Sequence, residues 1–228
     1  MYMPVLLATA VFKIVSAGII RARSIFDLHF SAVSPMYAVT LVKCKRSDPV
    51  YQAFRERHYI PNKGAIGQQL HYLIFLGEES VGIISGGSAA YATQTRDVFF
   101  GITKANRKVA LNGIIDNTVF RLEKNLPNLG TQILSLWRRR VAKDWEEKYH
   151  VKPCGFETFI IENETRKGAM YKADNWTFVG ETTGSTKVHN HGADKAFERA
   201  HVVKKLVFCK WIRGGQLPTE YHATWKGR

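Results

Sequence analysis

Two adjoining stretches decide the fold: Ile114-Ile115-Asp116-Asn117-Thr118-Val119-Phe120-Arg121-Leu122, and beyond it Asn125-Leu126-Pro127-Asn128-Leu129-Gly130-Thr131. The first reads as a long, mostly buried strand, rich in β-branched and apolar residues. Glu123–Gly130 reads as a loop that closes on a glycine. From Thr131 the period becomes helical. Ile133, Trp137, Val141, Trp145 and Tyr149 recur every four residues and form one apolar stripe. Arg138, Arg139, Arg140 and Lys143 fall mostly off that stripe, in water. Strand, loop and long helix make the first half of a crossover, and a crossover needs a parallel partner strand.

The pattern extends in both directions. Tyr37–Cys44 reads as a strand with Val39, Leu41 and Val42 inside. Ser47-Asp48-Pro49 opens a helix with a capping residue and a first-turn proline. That helix is expected to reach Tyr59 and to end at Pro61-Asn62-Lys63-Gly64. Tyr72–Leu76 and Val81–Ser85 form a hairpin about Gly77-Glu78-Glu79-Ser80. The second hairpin strand runs into Gly86-Gly87-Ser88-Ala89, where small residues admit close backbone approach. Asp97–Ile102 reads as a further strand. Downstream come a strand at Phe156–Ile161, a helix at Thr165–Asp174, a strand at Trp176–Gly180, a loop over 181–200 and a last strand at Lys205–Trp211. The class is α/β (α+β), with a mixed, mostly antiparallel central sheet flanked by helices.

Composition bounds the partners. The chain is 45% apolar, enough for a real core. Its 33 Lys and Arg against 19 acids give a formal charge of +14, a self-repulsion that a polyanion would relieve. DNA is the expected partner, and no membrane is expected. Residues 185–228 carry nine basic and three acidic residues, with Trp211, Tyr221 and Trp225 interleaved, a pattern suited to phosphate contact with some stacking. Arg96, Arg138, Arg139, Lys204, Lys205 and Arg213 are the candidate DNA contacts. Cys44, Cys154 and Cys209 are odd in number and far apart, which points to a reducing, cytoplasmic setting. Pro4–Ile20 is apolar but carries Lys13, falls short of a comfortable span and lacks a signal pattern. Residues 1–36 read as an extension or packed appendage before a domain at 37–228. Oligomeric state stays open between monomer and homodimer.

Several residues are candidates on their own chemistry. The Asn125–Thr131 loop meets a helix N-terminus whose unpaired amides suit an anion; an ordinary loop capped by Thr131 is the alternative. His58 and Tyr59 end a helix beside glycines, where a histidine serves as base, metal ligand or helix cap. Glu157 starts an apolar strand, where burial raises a carboxyl pKa unless an arginine pairs with it. Asp116 interrupts a buried strand, where a charge needs a reason. Tyr171 and Asn175 are placed one turn apart on one helix face. Trp176 and Phe178 read as core, with stacking on a flipped base as the alternative. His189, Asn190, His191 and His201 invite a metal reading, but no carboxylate spacing supports it and a solvated loop fits them.

The order of elements resembles the GNAT acyltransferase fold, in which a strand, a glycine-containing loop and a helix bind the pyrophosphate of an acyl-CoA. Asn125, Asn128, Leu129, Gly130 and Thr131 are the matching positions, and of that family's loop pattern only Gly130 is standard. Arg57-His58-Tyr59, Arg96-Asp97, Phe99-Phe100-Gly101, Asp116-Asn117-Thr118, Asn128-Leu129, Glu157-Thr158-Phe159, the run Gly168–Trp176 and Gly180 together resemble the Druantia DruA family of anti-phage and mobile-element proteins. More distantly they resemble the phage Mom DNA-modification proteins. The resemblance covers roughly residues 45–185.

It implies a GNAT-like transferase with an acyl-CoA or related activated donor. Such an enzyme would add an acyl-derived, carbamoylmethyl-like group to the N6 amine of adenine in DNA and so protect that DNA from restriction. His58, Tyr59, Asp116, Glu157, Tyr171 and Asn175 are then the catalytic candidates. His58 or Glu157 is the base, and Tyr171 protonates the leaving group. His58 and Glu162 are the possible metal ligands. The other reading is a DNA-binding component of a DruA-type defence system or transposon that does no chemistry.

Overall fold

The computed structural model describes residues 37–60, 67–187, 199–201 and 203–220. The expected appendage at 1–36, the Pro61–Gly64 helix end, His189, His191, Tyr221 and Trp225 lie outside the described residues, as does the side chain of His201. β1 (Val39–Cys44), β2 (Gln69–Leu76), β3 (Glu79–Ser88) and β4 (Ile114–Leu122) form an antiparallel meander. β5 (Gly155–Ile160) then joins β4 in parallel, and α4 (Leu129–Tyr149) makes the crossover. β9 (Leu206–Trp211) pairs antiparallel with both β5 and the edge strand β6 (Thr177–Glu181), which completes seven strands in the order β1-β2-β3-β4-β5-β9-β6. The sheet is mixed and mostly antiparallel, with helices on its faces, as the pattern of strands and crossover requires.

The local chemistry explains the elements. Asp48 accepts from the amides of Val50 and Tyr51 at 2.9 and 3.1 Å, so α1 (Pro49–Glu56) starts where its cap and proline place it. Ile133, Trp137, Val141 and Trp145 are fully buried in the main core against Tyr72, Ile74, Ile84 and Ile115. A second apolar cluster on the other side of the sheet joins Tyr51 and Phe54 of α1 to Leu73, Ile83 and Val119. Gly86 lets the long helix approach. A Cβ there would lie 2.9 Å from Ile115 and 3.1 Å from Val141.

The structure corrects several expectations. Asp97–Ile102 is not a strand, because Gln94–Phe100 forms helix α2, which the short helix α3 (Arg107–Ala110) follows. Arg96, Asp97 and Phe100 are its buried residues, a helical spacing, and Gly101 ends it at φ 70°. Helix α5 spans only Ala169–Ala173, since Gly168 at φ 73° precedes it. α1 stops at Glu56 rather than Tyr59. The expected loop at 181–200 contains two short paired strands, β7 (Ser185–Lys187) and β8 (Arg199–His201). Val42 faces solvent, because the pleat turns Leu41 inward and its neighbour out. Phe178 is 47% exposed, not core. Of the four basic residues expected in water on α4, Arg138 is tied by two 2.7 Å bonds to buried Asp174, while Arg139, Arg140 and Lys143 are exposed.

The close approach at Gly86 makes a direct prediction. Gly86→Val should overpack the interface of β3 with α4 and destabilise the protein by about 1–3 kcal/mol. Urea denaturation should report a lower midpoint with an unchanged m-value.

Candidate active site

β4 and β5 share only three register pairs: Ile114–Gly155, Ile115–Phe156 and Asp116–Glu157. Both strands continue beyond this, to Leu122 and Ile160, but they no longer pair. Two features accompany the divergence. On the β3 side the register slips between Ser85–Val119 and Gly86–Asn117, which leaves Thr118 as the extra residue of a β-bulge. On the β5 side Thr158 Oγ1 donates to the main-chain oxygen of Asn117 at 3.1 Å, where a continuing ladder would have supplied an amide.

A cavity of about 360 Å³ fills the opening. Asn117, Thr118 and Phe120 line it from β4, Thr158 and Ile160 from β5, and Met170 and Tyr171 from α5. The Tyr171 hydroxyl donates to Asn117 Oδ1 at 2.7 Å. Asn117 in turn donates to the main-chain oxygens of Ser85 and Val119. Burial raises the Tyr171 phenol well above its ordinary range, so it keeps its proton at any physiological pH.

His58 and Tyr59 border the same cavity. His58 Nδ1 lies 3.2 Å from the Ile60 amide and 3.4 Å from the Ile60 main-chain oxygen, so Ile60 orients the ring. Burial pushes His58 down to about 4, and Arg55, Arg121 and Arg166 push the same way. At neutral pH it is therefore a neutral imidazole offering a donor. The Arg166 guanidinium sits 3.9 Å from the centre of the Tyr59 ring, which holds a cation at the cavity rim. Burial raises the Tyr59 phenol as well.

Glu157 lies on the other face of β5 and is fully buried. Arg96, also fully buried, donates to it at 2.5 Å and to Asp97 at 2.7 Å. The Ala90 amide donates to Glu157 at 2.7 Å. Burial raises the Glu157 carboxyl to about 7, against the pull of Arg96 and that amide. The arginine pairing weighed for Glu157 in the sequence is thus present. Arg96 is an internal counter-ion and not a DNA contact. Asp116 stands beside Glu157 in the register, and burial followed by the Glu157 charge raises it well above the carboxylate range.

The proposed phosphate loop fits an anionic donor in part. Asn128 precedes α4 at φ 60° and its side chain makes no capping bond, so the first-turn amides are not occupied by it. Leu129, however, is fully buried core. Gly130 serves close packing, since a Cβ there would come 2.5 Å from Met170 Sδ. Asn125 is exposed and Thr131 is half-buried. None of Asn125–Thr131 lines the cavity; the cation that does is Arg166.

Other candidates fall elsewhere. Asn175 lies beyond α5 at φ 58°, exposed, so it does not share a helix face with Tyr171. Its main-chain oxygen accepts from Lys210 Nζ. Glu162 is exposed, and among the described residues no group of His, Cys, Asp and Glu could hold a metal. Arg138 is engaged by Asp174. Arg139, Lys204 and Arg213 are exposed, and half-buried Lys205 lines a second cleft. Among the described residues no helix is long and apolar enough to cross a membrane. Asn117, Thr158, Met170 and Arg166 were missed as site residues. Only the neighbours Asp116-Asn117-Thr118 carried a sequence signal, polar residues inside a buried strand.

The family profile described as Druantia protein DruA matches residues 29–215. No curated protein matches the chain. Among solved structures, a Bacillus subtilis acetyltransferase in complex with CoA is 7% identical, with 76% of this chain and 99% of that chain covered at a TM-score of 0.49. A GNAT family acetyltransferase from Elizabethkingia anophelis with acetyl-CoA bound is 8% identical, with 76% and 98% covered and a TM-score of 0.47. An IAA acetyltransferase from Bacillus cereus is 9% identical, with 77% and 100% covered and a TM-score of 0.47.

Two predictions follow from the buried charges. Glu157→Ala leaves Arg96 short of a counter-charge and should cost about 3–5 kcal/mol of unfolding free energy, read from chemical denaturation. His58 and His71 are both held near 4 by burial, well below their ordinary value of 6.5. The folded state then binds fewer protons than the unfolded one between those limits. The stability this confers is complete above pH 6.5 and is lost as pH falls toward 4. Unfolding at pH 5 should take up about two protons from these rings. The double variant His58→Gln/His71→Gln should flatten the decline of Tm with acid.

Proposed function

Because the chain belongs to the Druantia protein DruA family, we propose that it is a transferase that moves an acyl-type group from an activated donor to an amine of a DNA base, with adenine N6 as the acceptor. The observation that carries this reading is the opening between β4 and β5, where Tyr171, His58 and Arg166 meet main-chain edges that no strand pairs. Cavities of this size, with an apolar lining and few convergent polar groups, suit small ligands. The basic surface, with Arg139, Lys204 and Arg213 exposed, suits a polyanionic substrate.

A bound thioester donor supplies an acyl carbon open to attack by an amine, with a thiolate as leaving group. The rest of the chemistry falls to this chain. Main-chain amides on the diverging strands are preorganised donors for charge developing on an acyl oxygen, and the neutral His58 ring borders the same space. Tyr171 stands at the bulge, held by Asn117; it passes its proton to the leaving thiolate and is reprotonated by the proton that the attacking amine sheds. Arg166 and the first turn of α4 hold anionic groups of the donor. Met170 covers the space beside Gly130. This one observation favours a second reading, a DNA-binding component of a DruA-type defence system without a donor site.

Two measurements separate the readings. Acetyl-CoA or another acyl-CoA at a hundred times its Kd should stabilise the folded protein by about 2.7 kcal/mol, seen as a raised Tm. DNA from cells expressing the protein should contain a heavier adenosine by nucleoside mass spectrometry, reduced about a hundredfold or more by Tyr171→Phe. Unmodified nucleosides and no shift with any acyl-CoA would leave the non-catalytic reading standing.

A further inference from the structure

Among the described residues, six buried side-chain polar atoms have no hydrogen-bond partner. Two of them, Asp116 Oδ1 and Thr95 Oγ1, belong to residues that line the same cleft. Buried polar atoms without partners are rare because each costs the desolvation of the group. Two in one cleft are best explained by a ligand that satisfies both. The cleft measures about 420 Å³ and is walled by Ala90–Thr95 residues on one side and Glu181–Gly184 on the other, with Lys205 beside them.

Its position matters. Adjacent strand residues point to opposite faces. Asn117 lines the cavity described above and Asp116 lines this cleft, so the two lie on opposite faces of β4. Phe159 borders both, at the point where β4 and β5 part. The two sites are therefore neighbours across the sheet, with Phe159 common to both.

We infer that this cleft is the acceptor side of the site and seats the amino edge of one extruded base, a ring nitrogen beside an exocyclic –NH2, against Asp116 and Thr95. The inference rests on the transferase reading for its role but on the cleft for its chemistry. The volume suits a single base and not a duplex. Glu157 on the neighbouring strand already has Arg96 and the Ala90 amide, so Asp116 is the carboxyl left for a ligand. Burial and the Glu157 charge favour the protonated form of Asp116, while Lys205 and Arg96 oppose it. A protonated carboxyl donates through its hydroxyl and accepts through its carbonyl oxygen, which complements a ring nitrogen and an adjacent amine. Adenine and cytosine both carry that edge.

The test uses the full chain and fluorescence anisotropy with short single-stranded oligonucleotides. One pair differs only in adenine against purine, which lacks the amine. A second pair differs only in cytosine against 2-pyrimidinone. Wild type should prefer one amine-bearing member by about tenfold. Asp116→Leu should abolish that preference, Asp116→Asn should keep it, and Thr95→Val should weaken it severalfold. Asp116→Ser gives the same readout if the leucine variant does not fold. Preference within the first pair assigns adenine, and within the second cytosine. Equal binding within both pairs, or a preference untouched by Asp116→Leu, overturns the inference. An amine preference with no acyl-CoA stabilisation sinks the transferase reading and leaves the cleft; donor binding without amine preference sinks the cleft alone.

Discussion

Thr158 Oγ1 occupies the main-chain oxygen of Asn117, and with that bond the parallel ladder of β4 and β5 ends after three pairs. A parallel pair in the middle of a sheet normally runs on, because an unpaired main-chain group in the interior is expensive. Here the cost is met locally. The threonine satisfies one carbonyl, the bulge at Thr118 redirects β4, and Asn117 turns its amide back onto Ser85 and Val119. The gap is thus a built feature of the sheet. Tyr171 completes it by donating to the one Asn117 side-chain oxygen still open.

What keeps the diverging strands in place is burial on both sides of the gap. α4 fills one face with two tryptophans and reaches β3 only because Gly86 has no side chain. On the other face α2 is anchored by charge. Arg96 links Glu157 of β5, Asp97 of its own helix and the main-chain oxygen of Ala90, and Arg107 closes the network on Asp97. Replacing such a network with apolar groups of equal shape would cost little, whereas breaking it costs much. Its consequence here is positional, since it fixes the Ala90–Thr95 wall of the second cleft relative to β5.

The sequence was legible where one physical rule dominated. The strand at 114–122, the stripe of α4 and the capped start of α1 each follow from period or cap chemistry, and all three stand in the structure. Asp97–Ile102 was misread because Val98, Phe99 and Phe100 look like a strand, while the burial of Arg96 and Asp97 reflects a charge pairing that composition does not reveal. Arg96 was assigned to the surface for the same reason: a lone arginine in sequence carries no sign of its partner 61 residues away. His58, Tyr59 and Tyr171 do share one cavity, whereas Asn175 leaves the helix face of Tyr171 because α5 ends at Ala173 and Asn175 takes φ 58°. Arg166 carried no signal at all, since its place over the Tyr59 ring is set by tertiary structure.

The charge of the chain gains a different meaning from this arrangement. A surplus of +14 read as surface alone predicts contact with phosphate and nothing about chemistry. Part of the basic complement is spent internally: Arg96, Arg138 and Arg140 each answer a buried carboxylate. What remains outside includes Arg139, Lys204 and Arg213, while Arg166 is held at the rim of one opening and Lys205 lines the other. A carboxyl with one unpartnered oxygen, Asp116, borders the second opening, on the strand where the sheet parts. On the proposed reading this separates the two demands of the reaction. Cations outside gather the polyanion, and a carboxyl whose pKa burial raises, with neutral side chains, meets inside a base and an acyl group that carry no charge to be attracted.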